Sequence, residues 1–253
     1  MKILVLGQNG DFTNIVVNRL QKEFKEVDVI IESPVDRKTF LKRRIRTLGL
    51  SKVIGQCLFM LLIQPYLQKI AKERIEKIIA KNKLDTSDAY VKESSCKVDS
   101  VNSDECRKIM KEKKPDLIVV NGTRIISKQT IQCSEVPMVN MHLGITPKYR
   151  GVHGGYWALA MGDIENCGVT IHRVDEGIDT GNIIAQTIIE VTQDDNFCTY
   201  PYLQVAAGIK LEVEVIKNYL SGELVYLNNN LQSCLWSHPT ILEYIKYRKK
   251  GVK

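Results

Sequence analysis

The chain has 253 residues, a mass of 28.8 kDa, 44% hydrophobic residues and a net charge of +7. A chain of this length and apolar content can bury roughly three quarters of its unfolded surface, which excludes a disordered or fibrous protein. The charge admits anionic substrates, nucleic acid or a membrane surface and selects none of them. Seven cysteines without a C-x-x-C pair or a signal peptide point to a reduced, cytoplasmic chain and away from a disulfide framework or a structural metal.

Residues 2–6 (KILVL) have the apolar pattern of a buried strand. Gly7-Gln8-Asn9-Gly10 and a helical pattern over 12–24 follow. Strand, glycine-bearing turn and helix together present N–H groups to an anion, but the turn is neither a full G-x-G-x-x-G nor a Walker A motif. A plain tight turn of a doubly wound fold explains it equally well. Residues 27–31 read as the second strand.

Residues 36–83 are rich in helix formers and in Lys and Arg, with an apolar run over 54–63 ended by Pro65. The run is too short to span a bilayer, which needs about 20 apolar residues. Ile70, Ile75, Ile78 and Ile79 recur at helical spacing. The segment is therefore expected to be a helical cover packed by its apolar side, with its cations in water; docking on a membrane or a polyanion is the alternative.

Residues 90–96 suggest a weak strand, 103–113 a helix capped by a serine, and 116–121 (DLIVVN) a clear buried strand. Residues 137–151 (PMVNMHLGITPKYRG) carry the chemistry. Val139 and its neighbours suit a buried strand, and Asn140 and His142, two apart, would share one face at its C-terminal end. Open α/β sheets bind ligands at that edge. A helix over 156–161, strands over 168–174 and 183–191, and a helix over 197–220 complete the reading. The strand–helix alternation argues for an α/β, doubly wound, mostly parallel sheet. Domain bounds are read as a catalytic domain over 1–220, with the helical insert at 36–83, and a short C-terminal tail over 221–253.

Asn-x-His at 140–142, then Pro147-Lys148-Tyr149-Arg150-Gly151, then D-E-G-x-D-T-G-x-I-I over 175–184 resembles the folate-dependent formyltransferase family. That family includes the glycinamide ribonucleotide, methionyl-tRNA and sugar N-formyltransferases. The resemblance implies a Rossmann-like fold and 10-formyltetrahydrofolate as formyl donor. It implies Asn140, His142 and Asp179 as the catalytic set. Gly122, Arg124, Ile125 and Ile126 would lie on the folate side, with backbone contacts predominating. Asp175 is assigned to that side too, although it and Glu176 also suit loop capping. Gln8, Asn9, Gly10, Tyr149 and Arg150 would lie on the amine's side. His153 and His172 flank these motifs, and His238 reads as packing in the tail. The family's common Ser-Leu-Leu-Pro is replaced by Leu143-Gly144-Ile145-Thr146-Pro147, which weakens inference from that loop.

The expected activity is N-formylation of a small-molecule amine, foremost a nucleotide-linked amino sugar. Methionyl-tRNA ranks second, because the resemblance implies a further C-terminal β-barrel domain in the tRNA-directed enzymes, and only about thirty residues follow Leu220 here. A purine-pathway enzyme ranks third, because its phosphate-binding signature is not clearly present, and a non-catalytic folate- or nucleotide-binding module is the reading from a different class. No metal, tRNA or transmembrane segment is expected, and a homodimer is one open assembly.

Overall fold

The computed structural model describes residues 1–222 and 225–253, so Glu223 and Leu224 of the predicted tail lie outside the described residues. Five strands run parallel: β1 (Lys2–Gly7), β2 (Glu26–Glu32), β3 (Ser95–Val98), β4 (Leu117–Asn121) and β5 (Met138–His142). Parallel strands are covered on both faces and so need near-continuous apolar sequence. β4 (LIVVN) is buried throughout and β1 over all but Lys2. Alternation divides the side chains. Ile3, Val5, Val119 and Val139 enter one core layer, and Leu4, Leu6, Ile118 and Val120 enter the other.

Helix α1 (Asp11–Glu23) follows β1. Between β2 and β3 lie α2 (Arg37–Leu48), α3 (Leu50–Leu58), a π-helical turn (Phe59–Ile63), α4 (Gln64–Asn82) and α5 (Ala89–Ser94). α6 (Asp104–Lys113) precedes β4, and α7 (Lys128–Ile131) precedes β5. The second half holds β6 (Arg150–Gly151), α8 (Gly154–Ala160), β7 (Gly168–Arg173), β8 (Ile183–Ile188), α9 (Tyr200–Leu220), β9 (Leu235–Trp236) and α10 (Ile241–Arg248). The main sheet is ordered β3-β2-β1-β4-β5-β7-β8, with β7 and β8 antiparallel. The chain reverses its direction of growth at β1 and β4, the point beside which such sheets bind ligands.

Two expectations need correction. Residues 90–96 are not a strand but helix α5 followed by β3. The Asp88–Lys92 ion pair at i,i+4 and the Tyr90 hydroxyl donating to the Val27 carbonyl (2.6 Å) hold the helical turn on β2. The long helix begins at Tyr200 rather than 197, because Thr199 and Asn196 close a turn before Pro201. Within the C-terminal stretch, β9 pairs in parallel with β6, joining Leu235 to Arg150 and Trp236 to Gly151.

The insert is helical but only one side of it is covered. Val53, Gln56, Phe59, Leu67, Ala71 and Ile78 face inward, and Phe59 packs edge-on to Phe197 at 4.9 Å. Arg74 makes a two-pronged bond to the buried Asp195 (2.9 and 3.0 Å). By contrast, no residue of α2 is buried among the described residues, and Ile70, expected to pack, is 54% exposed.

Candidate functional site

β5 ends in Asn140-Met141-His142, and its antiparallel neighbour β7 sets Asn140 opposite His172 and His142 opposite Thr170. The same alternation that puts Asn140 and His142 on one face puts Thr170 and His172 on it too. The loop after β7 returns so that Asp179 meets both imidazoles. Asp179 Oδ2 lies 3.4 Å from His142 Nδ1 and Asp179 Oδ1 lies 3.6 Å from His172 Nε2. Asn140, His142 and Asp179, three residues predicted from sequence, are thus brought together.

Hydrogen bonds define the tautomers. His142 Nε2 donates to the Tyr149 carbonyl at 2.7 Å, and His172 Nδ1 donates to the Arg173 carbonyl at 2.9 Å. The His172 Nε2 lone pair then accepts from Asn140 Nδ2 at 3.0 Å. This fixes which end of the Asn140 amide carries the donors and leaves its second N–H for another acceptor. Asp179 itself, at a left-handed φ of 51°, accepts from the Gly151 backbone N–H at 2.9 Å.

Burial alone would raise the Asp179 pKa. The imidazoles of His172 and His142, in their protonated forms, and the Gly151 N–H act against it and hold the carboxyl below the ordinary carboxylate range; with both rings neutral, the Gly151 N–H is the donor that remains. The carboxylate is therefore ionised near neutral pH. For His142 the balance goes the other way: burial holds the imidazole below its ordinary value, against the pull of Asp179 and the Tyr149 carbonyl. We favour a resting neutral ring, because Nε2–H already satisfies Tyr149 and burial penalises the cation. Nδ1 then faces an anion, poised to take a proton when positive charge arrives beside it.

Two glycines make this close packing possible. A Cβ on Gly144 would stand 2.9 Å from His142 Nε2. Gly151, at φ 93°, lies against the Trp236 backbone of the paired strand. Gly144, within the stretch that departs from the family's loop pattern, is a residue the packing needs.

Other predicted residues are placed differently. Tyr149 is fully buried, its ring stacked on Trp236 (5.9 Å) and its hydroxyl bound to Asp163 (2.7 Å). Its side chain is a core element, and only its carbonyl reaches the site. Arg124 clamps the buried Glu32 through its backbone N–H and Nε, both at 2.6 Å, so its guanidinium holds the loop rather than facing a ligand. Gln8 donates to the same carboxylate at 3.0 Å, tying the 7–10 turn to the 122–126 loop. Ile126 is buried in the core, whereas Ile125 is 59% exposed and Gly122 lies at a left-handed φ of 65°. Asp175 accepts from Gly177 N–H and Thr180 Oγ1, which is a loop cap. Asn9 and Gly10 are exposed ahead of α1, and Arg150 Nη1 donates to the Ile178 carbonyl at 3.0 Å.

His172 was noticed in the sequence but not assigned. The available signal was Thr-x-His at the same two-residue spacing as Asn-x-His; only the strand register shows that the pairs face each other. A cavity of about 190 Å³ lies elsewhere, near the N-terminal ends of β4 and β5, lined by Leu117, Pro137, Val139 and Tyr219.

An open α/β sheet with an Asn–His–Asp cluster at its strand ends is the class of architecture present. A family profile described as formyl transferase matches residues 67–203, more than half of the chain, and the chain belongs to that family. A methionyl-tRNA formyltransferase from Kosmotoga olearia is 37% identical over 126 residues, covering 49% of this chain and 40% of that one. The chain spans about two fifths of the length of the curated relatives it matches. Among solved structures, a sugar N-formyltransferase from a Shewanella species superposes with a TM-score of 0.58 at 14% identity, covering 93% of this chain and 76% of that one. The formyltransferase PseJ from Anoxybacillus kamchatkensis, bound to UDP-4,6-dideoxy-4-formamido-L-AltNAc and tetrahydrofolate, gives 0.52 at 18% identity, with 98% and 90% covered. At such identities the structural likeness establishes the fold.

Proposed function

We propose that the protein transfers a formyl group from 10-formyltetrahydrofolate to the primary amine of a small molecule, foremost a nucleotide-linked amino sugar. The observation that carries this is the meeting of Asn140, His142 and Asp179 at the ends of β5 and the following loop. The donor supplies an activated one-carbon acyl group. The loop over 122–126 fits such a ligand: Ile125 offers an exposed apolar face, and the Arg124–Glu32 clamp holds the loop against β2.

Each residue has a task that its surroundings support. The free N–H of Asn140 stabilises negative charge developing on the formyl oxygen; one such donor is worth about 10²–10³ in rate on the oxyanion-hole precedent. His172 keeps that amide the right way round. As the amine nitrogen forms its bond to the formyl carbon it becomes cationic. The ionised Asp179, helped by His142 Nδ1, receives its proton directly or through water, and the proton passes to the folate nitrogen as the carbon–nitrogen bond to it breaks. Proton handling of this kind contributes roughly 10²–10⁴-fold. Asn9 and Gly10, before the uncapped N-terminus of α1, suit an anionic part of the acceptor.

The amino-sugar reading draws on the structural neighbours described as sugar N-formyltransferases. A second reading, methionyl-tRNA as acceptor, draws on the 37% identical relative and on the cationic insert. A turnover screen with 10-formyltetrahydrofolate discriminates them. Formylation of an amino sugar on a nucleotide, with methionyl-tRNA far slower, is expected. Fast tRNA turnover with steep salt dependence overturns the ranking, and no turnover with either acceptor overturns both readings.

A further inference from the structure

The insert between β2 and β3 carries charge and apolar surface outside the Asn140–His142–Asp179 cluster. Over residues 36–83 there are thirteen Lys or Arg against three Asp or Glu, while the whole chain is only +7. The insert therefore holds more than the entire positive excess. Arg37, Lys38, Lys42, Arg43 and Arg46 are exposed on α2, and none pairs with a carboxylate among the described residues.

Next to these cations runs an open aliphatic stripe. Leu50, Ile54, Leu58, Leu61, Leu62, Tyr66 and Ile70 are all exposed, with Leu61 at 72% and Leu62 at 61%. Leu50, Ile54, Leu58, Leu62, Tyr66 and Ile70 recur every four residues along the continuous helix formed by α3, the π turn and α4, with Leu61 beside Leu62. A four-residue repeat drifts around a regular α-helix. The wider π turn at Phe59–Ile63 holds that drift back. α10 packs beside α3 and the π turn and adds the exposed Leu242, Ile245 and Lys246.

We propose that this outer face docks on an anionic lipid surface, with the α3–α4 helix lying in the plane of the interface. Three observations select this occupant. Aliphatic side chains such as Leu61 and Leu62 need hydrocarbon, so a nucleic acid leaves them uncovered. A second copy of this chain would set one strongly cationic insert against another, which charge repulsion opposes. Anionic headgroups over an acyl layer satisfy both the cations and the stripe.

The helix from Leu50 to Asn82 is long and apolar enough, by length and composition, to cross a membrane. Its opposite face is already committed to the protein through Phe59, Leu67 and the Arg74–Asp195 bond. It therefore lies on the bilayer rather than crossing it. The docked face is independent of which amine is formylated.

Flotation of the full chain with phosphatidylglycerol–phosphatidylcholine vesicles, against phosphatidylcholine alone, tests the proposal. Binding to the anionic vesicles only, weakened by salt, is expected. The double variants Arg43→Glu/Arg46→Glu and Leu61→Gln/Leu62→Gln, all at exposed positions and checked for unchanged circular dichroism, should each weaken binding at least about ten-fold. Failure of the native chain to float, or flotation indifferent to both variants, overturns it. So does a dimer in analytical ultracentrifugation that the leucine variant dissolves, without flotation: that result gives the stripe to a second copy.

Discussion

At the scale of single residues, the site is a set of hydrogen bonds with few spare partners. Changing Asn140, His142 or Asp179 to Ala is expected to lower turnover by at least about 10²-fold with the fold retained, as measured by steady-state rates beside thermal unfolding. His172 should behave differently, because it acts through Asn140. His172→Ala frees the Asn140 amide to rotate and should lower kcat with little change in KM, and His172→Gln, which keeps an acceptor, should recover part of the loss. Equal effects on kcat and KM would show that His172 binds the acceptor instead. The residue-level reading from sequence succeeded where alternation alone decides geometry, as for Asn140 and His142. It failed where a partner far along the chain decides it. The partner of the Arg124 side chain was not legible, because Glu32, 92 positions away, ends a strand that shows no sign of burying a carboxylate. Tyr149 looked like a ligand contact beside Arg150, and the tail residue Trp236 draws its ring into the core instead.

At the scale of elements, α9 and the junction of insert and tail each hold buried ionisable groups. Glu212 on α9 is fully buried with no partner for either oxygen among the described residues, and burial pushes its carboxyl up to about 8. A raised carboxyl pKa means that the unfolded chain ionises first. Stability is therefore lost as pH rises from the ordinary carboxylate range toward 8. Glu212→Gln should raise the melting temperature, more at pH 8 than at pH 5. An equal rise at both would place the cost in packing rather than ionisation.

The insert and tail meet at Gln56, which accepts from Arg44 and donates to Ser237 Oγ (3.1 Å) and the His238 carbonyl (2.6 Å). Beside it His153 Nε2 and His238 Nδ1 share a hydrogen bond of 3.0 Å. Burial, with Arg44 adding to it, holds His238 down at about 4, and burial and His238 hold His153 well below its ordinary value. These depressed values favour the neutral rings, so the stability they give is present above about pH 6.5 and is lost as pH falls toward 4, on the order of 3 kcal/mol for His238. Acid unfolding followed by circular dichroism should begin below pH 6.5, and His238→Gln should flatten that slope. The helicity of the insert was legible in its composition, but its covered side was not. A segment apolar on both faces gives no clue to which face a neighbour takes.

At the scale of the whole molecule, charge and topology are unevenly distributed. Outside residues 36–83 the chain is slightly acidic, so a variant lacking the α2 cations should elute far earlier from a cation-exchange column, whatever its effect on turnover. The parallel half of the sheet was readable because each strand is a short, fully apolar run. The β6–β9 ribbon was not, since two-residue strands have no period to detect. That ribbon also bears on the order in which the protein can mature. Gly151, whose N–H holds Asp179, is fixed in place by Trp236, 85 positions further on. During synthesis the seven-stranded sheet can close while the ribosome is still making the tail. The carboxylate is anchored only after residue 236 has left the exit tunnel. A nascent chain stalled before that point is expected to leave Asp179 unanchored and to turn over no amine, which a stalled-chain assay checks.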